Sequence, residues 1–134
     1  MLWDQKCYCG KQGCVETYIS GSGLENDIKK HLKKHITAKD FLNQKSYSQV
    51  EKKIIDNFYY YFGLSLSNII NIIDPDVIVL GGGLSQQKEL YSYGKQEVYK
   101  NIFSDYCMTP IIKNKLGDSA GVIGAALIGA KLVC

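Results

Sequence analysis

Between residues 50 and 73 the apolar side chains return every three or four positions: Val50, Ile54, Phe58, Tyr61, Phe62, Leu66, Ile69, Ile70 and Ile73. That period predicts one long, largely buried helix. Ser48-Gln49-Val50-Glu51 stands in front of it with the capping-box pattern, in which the Ser and Glu side chains satisfy each other's backbone N–H groups. The helix has to end before Asp74-Pro75, because a proline ring disfavours helical backbone in its predecessor. Asp76–Leu80 has no helical period. It is a short apolar run, as expected of a strand covered on both faces inside a parallel sheet. Gly81-Gly82-Gly83 follows at its carboxyl end, and a helical stretch is expected from near Gln86. Pro110–Lys113 reads as a second strand. The turn Gly117–Gly121 then leads into a small-residue helix, Val122 to about Leu132, whose Gly124, Ala125, Ala126 and Gly129 permit close packing. Upstream, a helix from Glu16 to about Ser20 is interrupted at Gly21-Ser22-Gly23, and another runs from Leu24 to about His35. Tyr59-Tyr60-Tyr61 reads as packing rather than as a stacking platform.

A chain of 134 residues is enough for one domain with one core. No internal repeat or low-complexity linker divides it. Its 46% hydrophobic content is that of a globular protein, and no apolar run is long enough to span a bilayer. The net charge of +3 decides little. The basic residues gather at Lys29-Lys30-His31-Leu32-Lys33-Lys34-His35 and at Lys39, the look of a solvated helix face. No aromatic residue is interleaved to stack on bases, so nucleic acid is not an expected partner. His31 and His35 are spaced i, i+4, but the lysines around them would repel a cation, and they read as surface histidines.

The candidate chemistry begins at Cys7-Tyr8-Cys9-Gly10-Lys11-Gln12-Gly13-Cys14-Val15-Glu16. Three thiols in C-x-C-x4-C spacing, with glycines at the two turns, make a tight cluster that can hold a zinc ion. The fourth ligand must come from elsewhere. A carboxylate two residues past the last thiol, Glu16, would be held rigidly beside that knot, a good position for gripping a substrate. Disulfides are not expected, since five cysteines are an odd number, Cys107 and Cys134 lie far away, and no apolar secretory segment precedes them. A reduced, cytoplasmic protein follows. The second candidate is Gly81-Gly82-Gly83. Ligands of open α/β sheets bind outside the carboxyl ends of strands, so these glycines could let backbone approach a nucleotide, or they could form only a tight turn.

The run Cys7-x-Cys9-Gly10-x-x-Gly13-Cys14-x-Glu16, followed by Ile19-Ser20-Gly21, resembles the zinc motif of the ROK family (repressors, open reading frames and sugar kinases). Asn71–Gly83 and Gly117–Ala126 resemble further segments of that family in the same order. The nearest likeness is to bacterial fructokinases (manno/fructokinases), with N-acetylglucosamine kinases a step further away. It runs nearly end to end through this chain and covers the family's carboxyl-terminal half. The resemblance implies an actin-like, hexokinase-type (ribonuclease H-like) ATPase fold of the α/β class. It implies transfer of the γ-phosphate of Mg-ATP to a sugar hydroxyl. Under it, Cys7, Cys9 and Cys14 are ligands of a structural zinc, Glu16 accepts hydrogen bonds from sugar hydroxyls, and Gly81, Gly82 and Gly83 lie beside the adenosine of ATP. Residues 1–23 form the zinc knot and sugar-contact segment, 24–118 the helices and strands of the large lobe, and 119–134 the closing helix. Leu116 departs from the histidine that fructokinases of this branch commonly have.

What the family carries upstream of its cysteine motif is missing. The chain has no D-x-G-x-T phosphate loop, no Asn-Asp pair with the catalytic base, and no E-x-G-H motif with a second sugar carboxylate and the histidine that completes the zinc site. Asp4, Asp74, Asp76 and Asp118 do not stand in the base's place, so no catalytic residue is assigned. The expectation is a truncated carboxyl-terminal part, inactive alone, whose partner is the amino-terminal half or a chain that supplies it. A homodimer is carried over from the family as an expectation. The alternatives to a fructokinase-like enzyme are the sugar-sensing part of a ROK transcriptional repressor and an N-acetylglucosamine kinase.

Overall fold

The computed structural model describes residues 5–106 and 109–132. Asp4, Cys107 and Cys134 lie outside the described residues, as does the side chain of Asp118. The element order is α1 (Glu16–Ile19), α2 (Gly21–Leu32), α3 (Ala38–Leu42), α4 (Gln49–Ile73), β1 (Ile78–Leu80), α5 (Tyr93–Lys100), β2 (Ile111–Lys113) and α6 (Ala120–Leu132). Short 3-10 turns at Gly83–Gln86, Lys88–Tyr91 and Gly117–Ser119 join them.

Helix α4 is the spine. Ser48 Oγ accepts from the Glu51 N–H at 3.3 Å and Glu51 Oε2 accepts from the Ser48 N–H at 2.9 Å, which closes the capping box. The helix ends at Asp74, whose left-handed backbone (φ 48°) lets its N–H reach the Ile70 carbonyl before Pro75. Ile54, Phe58, Phe62, Leu66 and Ile70, spaced by four, form the buried stripe. The expected burial is narrower than the apolar pattern: Val50, Ile69 and Ile73 are exposed. Val50 sits in the first turn, and Ile69 and Ile73 lie off the stripe at the far end. Helix α5 crosses α4 closely because glycines stand at the contact. A Cβ on Gly63 would collide with the Glu97 backbone, and one on Gly94 would press on the Phe62 and Tyr59 rings.

Leu24 and Ile28 of α2, Phe41 of α3, Leu90, Val98 of α5 and Ile111 complete the core. The chain turn before α2 is at Ser20 rather than at the glycines. Ser20 is extended and its Oγ accepts the Gly23 N–H at 3.0 Å, so Gly21-Ser22-Gly23 is the first helical turn. Gly23 is required there, because a side chain would run into the Thr17 carbonyl. Helix α2 stops at Leu32, three residues early, where Lys33 turns left-handed (φ 55°).

Strands β1 and β2 pair in parallel, Ile78 with Ile111, Val79 with Ile112 and Leu80 with Lys113. Ile78, Leu80 and Ile111 belong to the core cluster. Val79 and Ile112 do not, so the expectation of two covered faces holds for one face only. The helical stretch expected from Gln86 is instead two 3-10 turns and then α5 from Tyr93. Helix α6 begins at Ala120, and of the small residues expected to pack closely Gly124 and Gly129 meet nothing. No helix among the described residues is long and apolar enough to cross a membrane.

Candidate functional site

The cysteine segment folds as a miniature hairpin. Lys6 and Gln12 form an antiparallel bridge, the Cys7 N–H donates to the Lys11 carbonyl at 2.8 Å, and the Gly13 N–H donates to the Gln5 carbonyl at 2.9 Å. Gly10 (φ 85°) and Gly13 (φ 73°) take the backbone angles that only glycine adopts without strain. These turns bring the three sulfurs of Cys7, Cys9 and Cys14 within 4.8 Å of one another, with Cys9 and Cys14 at 3.6 Å. Sulfurs about 2.3 Å from one zinc ion in tetrahedral geometry stand about 3.8 Å apart. The donor set therefore fits such an ion with three of its four ligands, and no fourth His, Cys, Asp or Glu joins the cluster among the described residues. His31 instead lies 3.8 Å from Asp27 on the surface of α2.

The thiols themselves show what a cation would do. Cys9 is held below the ordinary thiol range, chiefly by the Lys11 backbone N–H and then by hydrogen bonds from Cys7 and Cys14. Cys14 is pushed up to about 11, chiefly by its hydrogen bond with Cys9. A positive ion among the sulfurs would favour ionising all three.

Tyr18 ties the knot to the core. The hydroxyl of buried Tyr18 accepts the Gln5 N–H at 3.0 Å, and its ring packs on Tyr61 of α4 with centroids 4.6 Å apart. Thr17 Oγ1, in the first turn of α1, donates to the Cys14 carbonyl at 2.6 Å and ties the helix start to the last thiol's backbone. Glu16 opens α1, is exposed, and faces the hydroxyl of Tyr8, which it raises above the ordinary phenol range through its negative charge and a hydrogen bond.

The glycine turn lies at the carboxyl end of β1. Gly82 (φ 80°) has a conformation that excludes other residues in practice, and the Cβ positions of Gly81, Gly82 and Gly83 face open space. Two residues that sequence reasoning missed hold this turn. Asn114, just after β2, donates from Nδ2 to the Leu80 carbonyl and to Ser85 Oγ, both at 3.0 Å. Ser85 Oγ in turn donates to the Gly82 carbonyl at 2.6 Å. The signal was an asparagine directly after a short strand, readable only once β2 is known to lie beside β1.

Between the turn and the α1–α2 junction is a groove of about 530 Å³. Gly81, Gly83 and Gln87 line one wall, and Ser20, Gly21 and Lys39 the other. Gly82 is not among its lining residues, and neither are the thiols or Glu16. Glu16 is joined to the groove wall along the chain, its backbone carbonyl accepting the Ser20 N–H at 3.2 Å. Lys39 had read as part of a solvated basic face. It lines the groove because Lys33–Ile36 leave the helix and Thr37 caps a short α3, its Oγ1 accepting the Asp40 N–H. That helix was not expected, although Thr37-Ala38-Lys39-Asp40 has a capping pattern.

A parallel strand pair backed by helices, with a groove at the carboxyl end of a strand, is an α/β arrangement, and the match to solved sugar kinases makes it part of the actin-like, hexokinase-type fold. The model of the ROK family matches residues 2–131, and the chain belongs to that family. It is 32% identical over 126 residues to the N-acetyl-D-glucosamine kinase of Photobacterium profundum, covering 93% of this chain and 42% of that protein. The crystal structure of a ROK hexokinase from Thermus thermophilus superposes with a TM-score of 0.78 at 27% identity, over 92% of this chain and 44% of that one. A ROK family glucokinase from Streptomyces griseus, solved in complex with glucose and AMPPNP, shares the fold at 22% identity and a TM-score of 0.77, over 93% of this chain and 47% of that one. The chain thus spans about two fifths of the length of the curated relatives it matches.

Proposed function

We propose that this chain is the part of an ATP-dependent hexose kinase that holds the sugar through Glu16 and the nucleotide through Gly81–Gly83. The observation that carries the reading is the groove, whose two walls are the glycine turn and the helix junction that continues from the thiol knot. The knot fixes α1, α1 presents Glu16, and one helical turn later the chain enters the groove wall. Phosphoryl transfer depends chiefly on positioning two substrates side by side, and a carboxylate on a rigid support loses little freedom when it binds.

In this reading Cys7, Cys9 and Cys14 hold a structural zinc ion, which would supply a fixed crosslink beside the sugar. Glu16 accepts hydrogen bonds from sugar hydroxyls. The bare glycine backbone admits the adenosine of Mg-ATP, with Lys39 as the cation on the opposite wall among the described lining residues. The catalytic base lies in the portion of the fold that this chain does not include. The relatives named above direct the first choice of sugar to N-acetylglucosamine, and the likeness of the cysteine motif to fructokinases makes fructose the second. Thiolates of this kind suit a reducing compartment, the cytoplasm.

The test joins this chain to the portion of the Photobacterium profundum kinase that it does not match and measures sugar-dependent ADP release. Glu16→Gln should raise the sugar KM about tenfold or more, the effect of losing a charge-assisted hydrogen bond, with the ATP KM little changed. Equal changes in both would contradict the role of Glu16. Sugar binding without nucleotide binding would favour the sugar-sensing part of a repressor instead.

A further inference from the structure

One polar side chain on the groove wall is buried and unpaired. Gln87 is 5% exposed and lines the groove together with Gly81 and Gly83. Its backbone is used on both sides, the N–H donating to the Leu84 carbonyl at 3.0 Å and the carbonyl accepting the Leu90 N–H at 3.3 Å. The segment is anchored further by buried Ser85, whose carbonyl accepts the Tyr91 hydroxyl at 2.7 Å. The side-chain amide of Gln87 has no hydrogen-bond partner among the described residues. Buried polar side chains are ordinarily paired, and an exception calls for a reason. The wholly enclosed unpaired polar atoms among the described residues are Ser65 Oγ and Asn114 Oδ1. The Gln87 amide is not one of them, so it keeps an opening to solvent, and the groove is where Gln87 meets it.

We infer that Gln87 reads the base of the nucleotide, which rests on the reading that the glycine turn holds one. A glutamine amide offers one acceptor beside two donor hydrogens. The 6-amino group and N7 of adenine present the complementary pair, so Gln87 Oε1 accepts from the amino group while Nε2 donates to N7. The chemistry of the walls favours this end of the nucleotide for Gln87. Phosphate oxygens only accept and would leave Oε1 unpaired, whereas Lys39 on the opposite wall is a cation suited to them. The Cβ positions of Gly81 and Gly83 face open space, which leaves a bare surface for a planar ring beside the amide. Because the backbone on either side of Gln87 is already fixed, little freedom is lost when the base binds.

The test titrates the chain with Mg-ATP and with the magnesium complex of purine ribonucleoside triphosphate, which is ATP without its 6-amino group, following backbone shifts at residues 81–87. ATP should bind about tenfold more tightly. In Gln87→Leu the two nucleotides should bind within about twofold of each other, at the weaker affinity, because the group that tells them apart is gone. The thermal midpoint of this variant should not fall by more than about 2 °C, since the substitution removes no hydrogen bond within the protein. Gln87→Glu keeps the size and the acceptor but turns a carboxylate on N7, and should weaken ATP about tenfold. It carries the test if the leucine variant does not fold. An ATP preference that persists in the variants, with nucleotide still shifting the glycine turn, would overturn this inference alone. No shift at residues 81–87 with either nucleotide would overturn it together with the nucleotide reading of the turn.

Discussion

In α4 the apolar residues fall on one stripe, Ile54, Phe58, Phe62, Leu66 and Ile70, and that stripe is buried. In α6 they run round the helix, and Val122, Leu127 and Ile128 stay exposed. Both segments are apolar helices by sequence, and among the described residues only α4 has its apolar stripe covered. Helix α4 packs against α1, α2 and α5, the last through glycine contacts at Gly63 and Gly94, whereas the glycines of α6 face open space. The difference teaches that hydrophobic pattern reports what a residue needs and not where the need is met. The functional elements follow the first helix. The knot reaches α4 through Tyr18 and Tyr61, and the glycine turn is braced by Asn114, just after the strand that packs against the same core.

The contrast can be broken by substitution. Phe58→Ala should cost about 3–5 kcal/mol by urea denaturation of the chain alone, the cost of emptying a packed aromatic site. A loss under about 1 kcal/mol would show that α4 is not the spine. A smaller effect belongs to its cap. Glu51 is held below the ordinary carboxylate range, first by the backbone N–H of Ser48, then by its hydroxyl and by Lys34. A depressed folded pKa means stability present above the unfolded value of about 4.3 and lost as pH falls through the folded one. Glu51→Gln should therefore flatten the acid side of the stability profile below about pH 4, and an unchanged profile would remove the cap from the account. Leu127→Ala should be the smallest, within about 0.5 kcal/mol in the chain alone. It should grow to about 2–5 kcal/mol when the rest of the fold is joined. An equal cost in both would mean that α6 is already covered.

Much of this was legible in sequence, and each failure has a physical cause. The capping box, the stop at Asp74-Pro75 and both strands follow from local rules, and the structure carries them. The thiol cluster was legible because its spacing and glycines act within ten residues. The early start of α2 was missed because Ser20 caps a helix made of glycines, which propensity alone disfavours. Helix α3 was missed because only Phe41 and Ala38 of its five residues are buried, too few to show a period. The Asn114–Ser85 brace was not legible, since it joins residues 29 apart through strand pairing, and the groove was not, since its walls come from distant segments of the chain. The burial expected for Val79, Ile112 and the small residues of α6 is not met, because no element among the described residues covers them.

The central claim is that the turn after β1 and the helix following the thiol knot hold two different substrates side by side. Backbone chemical-shift mapping of the zinc-loaded chain, with Mg-AMPPNP and N-acetylglucosamine added separately, tests it most directly. Nucleotide should perturb residues 81–87 and 37–39, and sugar should perturb residues 14–21. Nucleotide shifts confined to the basic surface at residues 26–33, or no shifts from either compound at millimolar concentration, would contradict it.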